Sequence, residues 1–160
     1  MKKSCKLCWA VALLLVAALG VMTYMFVIRG SVVESTDGRT AIMLSAGERD
    51  LVLKEMREFL EGVQSITEAL AAKDMKAVAE ASKKIGMAAA GGVPVSLMAK
   101  LPLEFKTLGL STHKAFDDLS MEASDMGDAQ ISLGKLGELL NNCTTCHAAY
   151  RLQSDGSGDK

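Results

Sequence analysis

The chain has 160 residues with 18 Lys and Arg, 19 Asp and Glu, four cysteines and a formal net charge of −1. Four of the basic residues (Lys2, Lys3, Lys6 and Arg29) fall in the first 29 positions, which leaves 14 against 19 acidic residues beyond them, about −5. A basic patch for nucleic acid is therefore excluded, whereas a basic protein partner is electrostatically compatible.

The N-terminal lysines precede an uncharged run, CWAVALLLVAALGVMTYMFVI, from Cys8 to Ile28. About 20 apolar residues suffice to cross the ~30 Å hydrocarbon core of a bilayer as a helix. Three lysines before the run, against one arginine just after it, favour an N-inside, C-outside orientation. A cleaved signal peptide is the competing reading, with Ala18 and Gly20 as its small-residue site. The apolar run continues through Val21, Met22, Tyr24, Phe26 and Ile28, which favours an uncleaved anchor over 1–29. No cysteine comes after the run at a position suited to lipid attachment.

All four cysteines lie in two C-x-x-C pairs, Cys5/Cys8 and Cys143/Cys146. The first pair falls on the inner side of the anchor, where thiols stay reduced, and no histidine accompanies it. It reads as a juxtamembrane pair without chemistry, with a redox or acylation role as the alternative.

After the anchor, RGSVVESTDGRT is polar and contains two glycines, so 30–43 reads as a tether that lets an exported domain search for partners near the membrane. Residues 44–152, about 110 in number, suit one compact domain. The end of the chain, 153–160, is polar and glycine-rich and reads as a disordered tail.

Within the domain the hydrophobic period is helical throughout. Ser45 and Glu48 form a capping box, and Leu53, Met56, Leu60, Val63 and Leu70 then recur on one face to about Ala72, widened by Val52, Phe59 and Ile66. Asp74 caps a second helix carrying Met75, Val78, Ser82, Ile85 and Ala89, ended by Gly91-Gly92-Val93-Pro94. VSLMAKLP forms a longer connection. A third helix starts at or just after Pro102, with Phe105, Leu108, Thr112, Ala115, Phe116 and Leu119 on one side. Gly127-Asp128 breaks the pattern before a fourth helix bearing Leu133, Leu136, Leu139, Leu140, Cys143, Cys146, His147 and Tyr150. No segment shows the alternation of a sheet. The expected fold is all-α, an antiparallel four-helix bundle preceded by one N-terminal transmembrane helix.

Cys143, Cys146 and His147 occupy i, i+3 and i+4, so they project from one helical face. The leucine stripe leads directly to them, which predicts a site facing the interior. C-x-x-C-H is the attachment signature of haem c: two thiols hold two vinyl groups on one edge of the porphyrin, and the adjacent imidazole reaches the iron. A redox disulfide belongs near a βαβ unit, which the pattern lacks. Zinc would need a fourth ligand, and the only other histidine is His113.

CTTCHAAYR at the end of a fourth helix resembles the cytochrome c′ family and its low-spin relatives, the cytochromes c556. The resemblance spans Ser45 to Leu152. It implies one haem c on Cys143 and Cys146, His147 as the iron ligand, and Arg151 near the same face of the haem, paired with a propionate or solvated. It also implies a bacterial inner-membrane location with the helical domain in the periplasm, redox protein partners, and a homodimer as one accessible assembly. Family members are usually freely soluble, so the anchor departs from the pattern. Tyr150 reads as packing.

The first helix of such proteins faces the other side of the iron. Leu53 and Met56 share that face: a methionine thioether gives six-coordinate iron suited to electron transfer, whereas an aliphatic residue leaves a site for NO or CO. The family pattern puts Leu53 near the aliphatic position. Met43 is a second thioether candidate. His113 is read as a hydrogen-bonded boundary residue, with iron ligation or a propionate contact as alternatives. The leading expectation is a single-electron carrier rather than an enzyme, and the alternative is a gas-binding haem protein.

Overall fold

The computed structural model describes residues 2–125 and 127–157, with side chains from Lys6 onward. In chain order it contains α1 (Lys2–Thr23), a π-helical continuation (Tyr24–Arg29), β1 (Val32–Glu34), β2 (Thr40–Leu44), α2 (Ala46–Ala71), α3 (Met75–Lys84), α4 (Val95–Lys100), α5 (Leu103–Asp125), α6 (Ala129–Ala149) and β3 (Tyr150–Ser154). Helix makes up 73% of the structure, so the sheet is the minor component.

The N-terminal segment Lys6–Arg29 is 24 residues long and apolar enough to cross a membrane. Every side chain in it is exposed. A helix that is apolar all round and exposed along its length suits an apolar surrounding. Cys8 carries a free, exposed thiol, whereas the Cys5 side chain lies outside the described ones.

Where this helix meets the rest of the chain, the contact is tight. Lys106 Nζ donates to the Val27 carbonyl at 3.0 Å, and the Ser31 N–H donates to the Lys100 carbonyl at 2.7 Å. Gly30 has φ +67°, and a Cβ there would stand 2.4 Å from the Lys100 oxygen. Only glycine satisfies both the backbone angle and the close approach.

The stretch at 30–43 is not a free tether. It supplies β1 and most of β2, which pair antiparallel, Val32 with Ile42 and Glu34 with Thr40. β3 then pairs parallel with β2, from Thr40–Tyr150 to Leu44–Ser154, in the order β1-β2-β3. The all-α expectation is corrected by this three-stranded sheet. The physical reason is burial: Ile42 and Leu44 are fully enclosed and join Val52, Leu97 and Leu101 in one core. Asp37-Gly38, with Gly38 at φ +82°, makes the reversal between strands. The end of the chain is engaged too. Asp155 N–H donates to the Leu44 carbonyl at 2.9 Å, and Asp155 Oδ2 pairs with Lys100. Residues 158–160 of the tail lie outside the described residues.

The second and larger core joins α2, α3, α5 and α6 through Ile66, Val78, Phe116, Leu119 and Leu136. α3 packs against both α2 and α5, α5 packs against α6, and α2 meets α6 only sparsely. On α2 the buried seam runs through Val52, Ile66 and Leu70 with Phe59 packed beside it, while Leu60 is 70% exposed. The true stripe is thus centred on residues expected at its edge.

Helix ends follow local chemistry. Glu48 reaches back to the Ser45 N–H at 2.9 Å, as the capping box requires. Asp74 accepts from Ala77 N–H, and Asp128 from Gln130 and Ile131 N–H. α3 stops at Lys84, short of the expected Gly91, because Asp117 of α5 accepts the Met87 N–H at 3.0 Å. Gly86 makes room for that carboxylate, since a Cβ would lie 1.8 Å from Asp117 Oδ1. Most of VSLMAKLP, expected as a connection, is the short helix α4.

Candidate functional site

Along α6, Ser132, Leu136 and Leu139 are buried and Leu133 is exposed. Cys143 and Cys146 come seven residues after Leu136 and Leu139, so they stay near the buried stripe while drifting ~20° per heptad. Both are half-buried with free thiols. His147 stands the same seven residues beyond the half-buried Leu140 and is exposed in the last turn. The expectation that all three face the interior is corrected: the set lies at the edge of the core. Burial pushes both thiols up, and Cys143 adds to the shift at Cys146, so both remain S–H at neutral pH.

Because α2 and α6 touch so little, a groove of about 210 Å³ stays open at this end. Val52, Leu53 and Met56 of α2 line one side, and Cys146 and His147 line the other. Phe105 and Tyr150, packed edge to face at 5.4 Å, complete its apolar wall. Tyr150 also donates its hydroxyl to Glu104 at 3.1 Å. Five expected site residues therefore share one groove: Leu53, Met56, Cys146, His147 and Arg151. Cys143 lies one turn back on α6 and is not part of the lining. Met43 is in β2, also outside the lining.

Three arginines, Arg39, Arg49 and Arg151, border the same groove. α6 ends at Ala149, so Arg151 belongs to β3 and not to a further helical turn; its Nη1 donates to Ser35 Oγ at 3.1 Å. Arg39 donates to the His147 carbonyl at 3.3 Å, in the last turn of α6, where carbonyls lack intrahelical donors. It also grips Asp37 at 2.7 Å, and Arg151 approaches the same carboxylate at 3.5 Å. The Arg39 side chain holds the Asp37 carboxyl well below the usual carboxylate range. One carboxylate against three guanidiniums leaves the rim cationic. Arg39 and Arg49 escape a reading of the sequence because each reaches the groove only through a fold contact, the hairpin for one and the first turn of α2 for the other.

His113 lies elsewhere, 4% exposed in α5. Its Nδ1 is 2.9 Å from the Ile85 carbonyl and its Nε2 is 2.9 Å from Glu55 Oε1. A carbonyl only accepts, so Nδ1 carries hydrogen. The second contact then requires one further proton between imidazole and carboxyl. Burial opposes the charged ring, but Glu55 and the Ile85 carbonyl outweigh it and raise the His113 pKa above 6.5. A raised folded pKa contributes stability that is fully present below the unfolded value and is lost as pH rises through the folded one. Chemical denaturation midpoints should therefore fall between pH 6 and alkaline pH, and Glu55→Gln should flatten that fall. An equal slope in both proteins would show that the pair holds no such proton.

Among the described residues, no group of three or more His, Cys, Asp or Glu side chains is arranged to hold a bare metal ion. Compared with protein-family models, curated proteins and solved structures, the chain matches none.

Proposed function

We propose that the chain is a membrane-anchored carrier of one haem c, its helical domain an antiparallel four-helix bundle on the periplasmic face of a bacterial inner membrane, passing single electrons between redox proteins. One observation carries this reading: the second thiol and the imidazole of the C-x-x-C-H motif, Cys146 and His147, border a groove whose opposite wall is Leu53 and Met56 and whose rim is cationic.

The residues suit the group. Cys143 and Cys146 are free thiols that would hold the group, each S–H adding across one vinyl group to give a C–S bond with no leaving group. His147, exposed at the end of α6, offers a ring nitrogen as ligand. Arg39, Arg49 and Arg151 suit carboxylates such as the two propionates, since a guanidinium binds them in a planar fork. When bound, the haem supplies an iron that takes or gives one electron. Val52, Leu53, Phe105 and Tyr150, which line the groove, would keep water from it.

Met56 decides between the two readings. Its thioether would offer the iron a ligand, and the site would then exchange electrons without exchanging ligands. Leu53 lines the same groove, and that favours the alternative, an open site for NO or CO. The ferrous absorption spectrum of the full chain in detergent, with and without CO, separates them. Sharp low-spin bands unmoved by CO are expected, with Met56→Leu becoming CO-reactive. A CO-sensitive, high-spin spectrum in the unaltered chain would replace the carrier by the gas binder.

A further inference from the structure

A second cavity, about 260 Å³, lies where the anchor meets the domain. Its wall is apolar, with Leu97, Met98, Leu101 and Phe105 among its residues. Two features place it beside the domain end of the anchor. Lys106, which lines it, holds the Val27 carbonyl of the anchor, and Leu101 lies against Gly30. Its border also carries two apolar side chains open to solvent, Leu51 at 41% and Leu110 at 46% exposure.

Glu55 and His113, the pair that shares a proton, are also in its lining. The same two residues line a third and more polar cavity of about 490 Å³ that includes Glu58, Glu61 and Lys84. The pair thus separates an apolar chamber beside the anchor from a polar one. Val52 and Phe105 line both the apolar chamber and the groove at Cys146 and His147, so only side chains part those two spaces.

We infer that the apolar cavity binds the ring of a lipid-soluble hydroquinone, which enters from the membrane and is oxidised there, its protons leaving through Glu55 and His113. The electron acceptor in this inference is the ferric haem of the proposed function, on which the redox half rests; binding itself does not. The chemistry balances in two equal steps. In each, one quinol O–H bond breaks, its proton passes to the Glu55–His113 pair and on to the polar cavity, and one electron reduces one ferric haem. Two such electrons, taken by two ferric haems or by one reoxidised between steps, leave the quinone. The groups facing the pair are few: Lys106 on the apolar side, and Glu58, Glu61 and Lys84 on the polar side. The acidic side favours onward release of a proton.

The site can be filled without disturbing the fold. Gly109 lines the apolar cavity, and a Cβ added there meets nothing within 4 Å. Gly134 on α6 is equally open and remote from the cavity, which makes Gly134→Leu the matched control. The test uses the full chain in phospholipid nanodiscs with decylubiquinone and its quinol as probes. Binding of the quinone above empty nanodiscs is expected for the unaltered chain and Gly134→Leu, weakened about tenfold or more by Gly109→Leu. This arm needs no haem, and equal binding by Gly109→Leu would overturn the site. In the second arm, quinol should reduce the haem, about a hundredfold more slowly in Glu55→Gln, the scale of a lost proton acceptor. Dithionite should reduce every variant alike. Quinol reduction at the same rate in all variants would overturn the proton role. Absence of any haem would sink the proposed function and the redox half of this inference with it, while the binding arm would still decide the cavity.

Discussion

A chain in which Cys143 and Cys146 are both serine is expected to carry no covalently bound haem. The unaltered chain should keep a haem-stained band through denaturing electrophoresis, and the double variant should lose it completely. Cys5→Ser with Cys8→Ser should keep the band at full strength, because no histidine follows that pair. The effect is all-or-none in kind, since the bond itself is removed. Retention of the band by the Cys143/Cys146 variant would end the haem reading, and dependence on Cys5 and Cys8 would move the attachment to the other end of the chain. His147→Ala is informative beside them. With both thiols intact, it should change the absorption spectrum of any haem still attached.

The largest effect on stability is expected from Phe116→Ala. Phe116 is fully buried at the centre of the larger core and stacks on Phe59 with ring centroids 5.6 Å apart. Removing a buried aromatic ring costs about 3–5 kcal/mol in lost transfer energy and cavity. Against the usual total of about 5–15 kcal/mol, that is a large share. Urea unfolding of the full chain in detergent, followed by far-UV circular dichroism, measures it. Leu60→Ala is the contrast: an apolar residue on the first amphipathic helix, but turned to solvent, where substitution stays within about 0.5 kcal/mol. Similar losses from both would mean that α2 packs by the other face, and the groove beside Leu53 and Met56 would have to be redrawn.

The difference between Phe116 and Leu60 also shows what a single sequence makes legible. A helical period identifies α2 and its capping box, because those depend on neighbours three and four residues apart. Which edge of a broad apolar stripe is buried depends on α3 and α5, and for that reason the period alone sets Leu60 on the wrong side. The hairpin has a local signal: Asp37-Gly38 sits between Val32-Val33 and Ala41-Ile42, but the polar residues around it read as a linker. β3 is less legible, since Tyr150 and Arg151 continue the motif helix in period and are drawn into extended form by pairing with β2. The end of α3 depends on Asp117, a residue of α5 that no local pattern connects to Gly86 and Met87.

The candidate site divides the same way. The two thiols and the imidazole are announced by spacing alone. Leu53 and Met56 are legible from their helix, and the structure brings both to the groove. Arg39 and Arg49 require the fold. So does the role of His113, expected to be hydrogen-bonded but with a partner, Glu55, that lies on another helix. The pairing of the two makes a proton site out of residues that separately look like surface and boundary.

The joint at Gly30 carries a mechanical consequence. A domain on a slack chain would tumble above its anchor and present every side in turn. Here the anchor passes into the domain through Val27, Gly30 and Ser31, each held to the α4–α5 corner. With α1 in a bilayer, as proposed, the domain behaves as a mast fixed to a deck: one latitude always faces the lipid, and the Cys146 groove keeps a constant height and heading. Encounters with other proteins then become a search in two dimensions, in which lateral drift and spin about the membrane normal are the remaining freedoms.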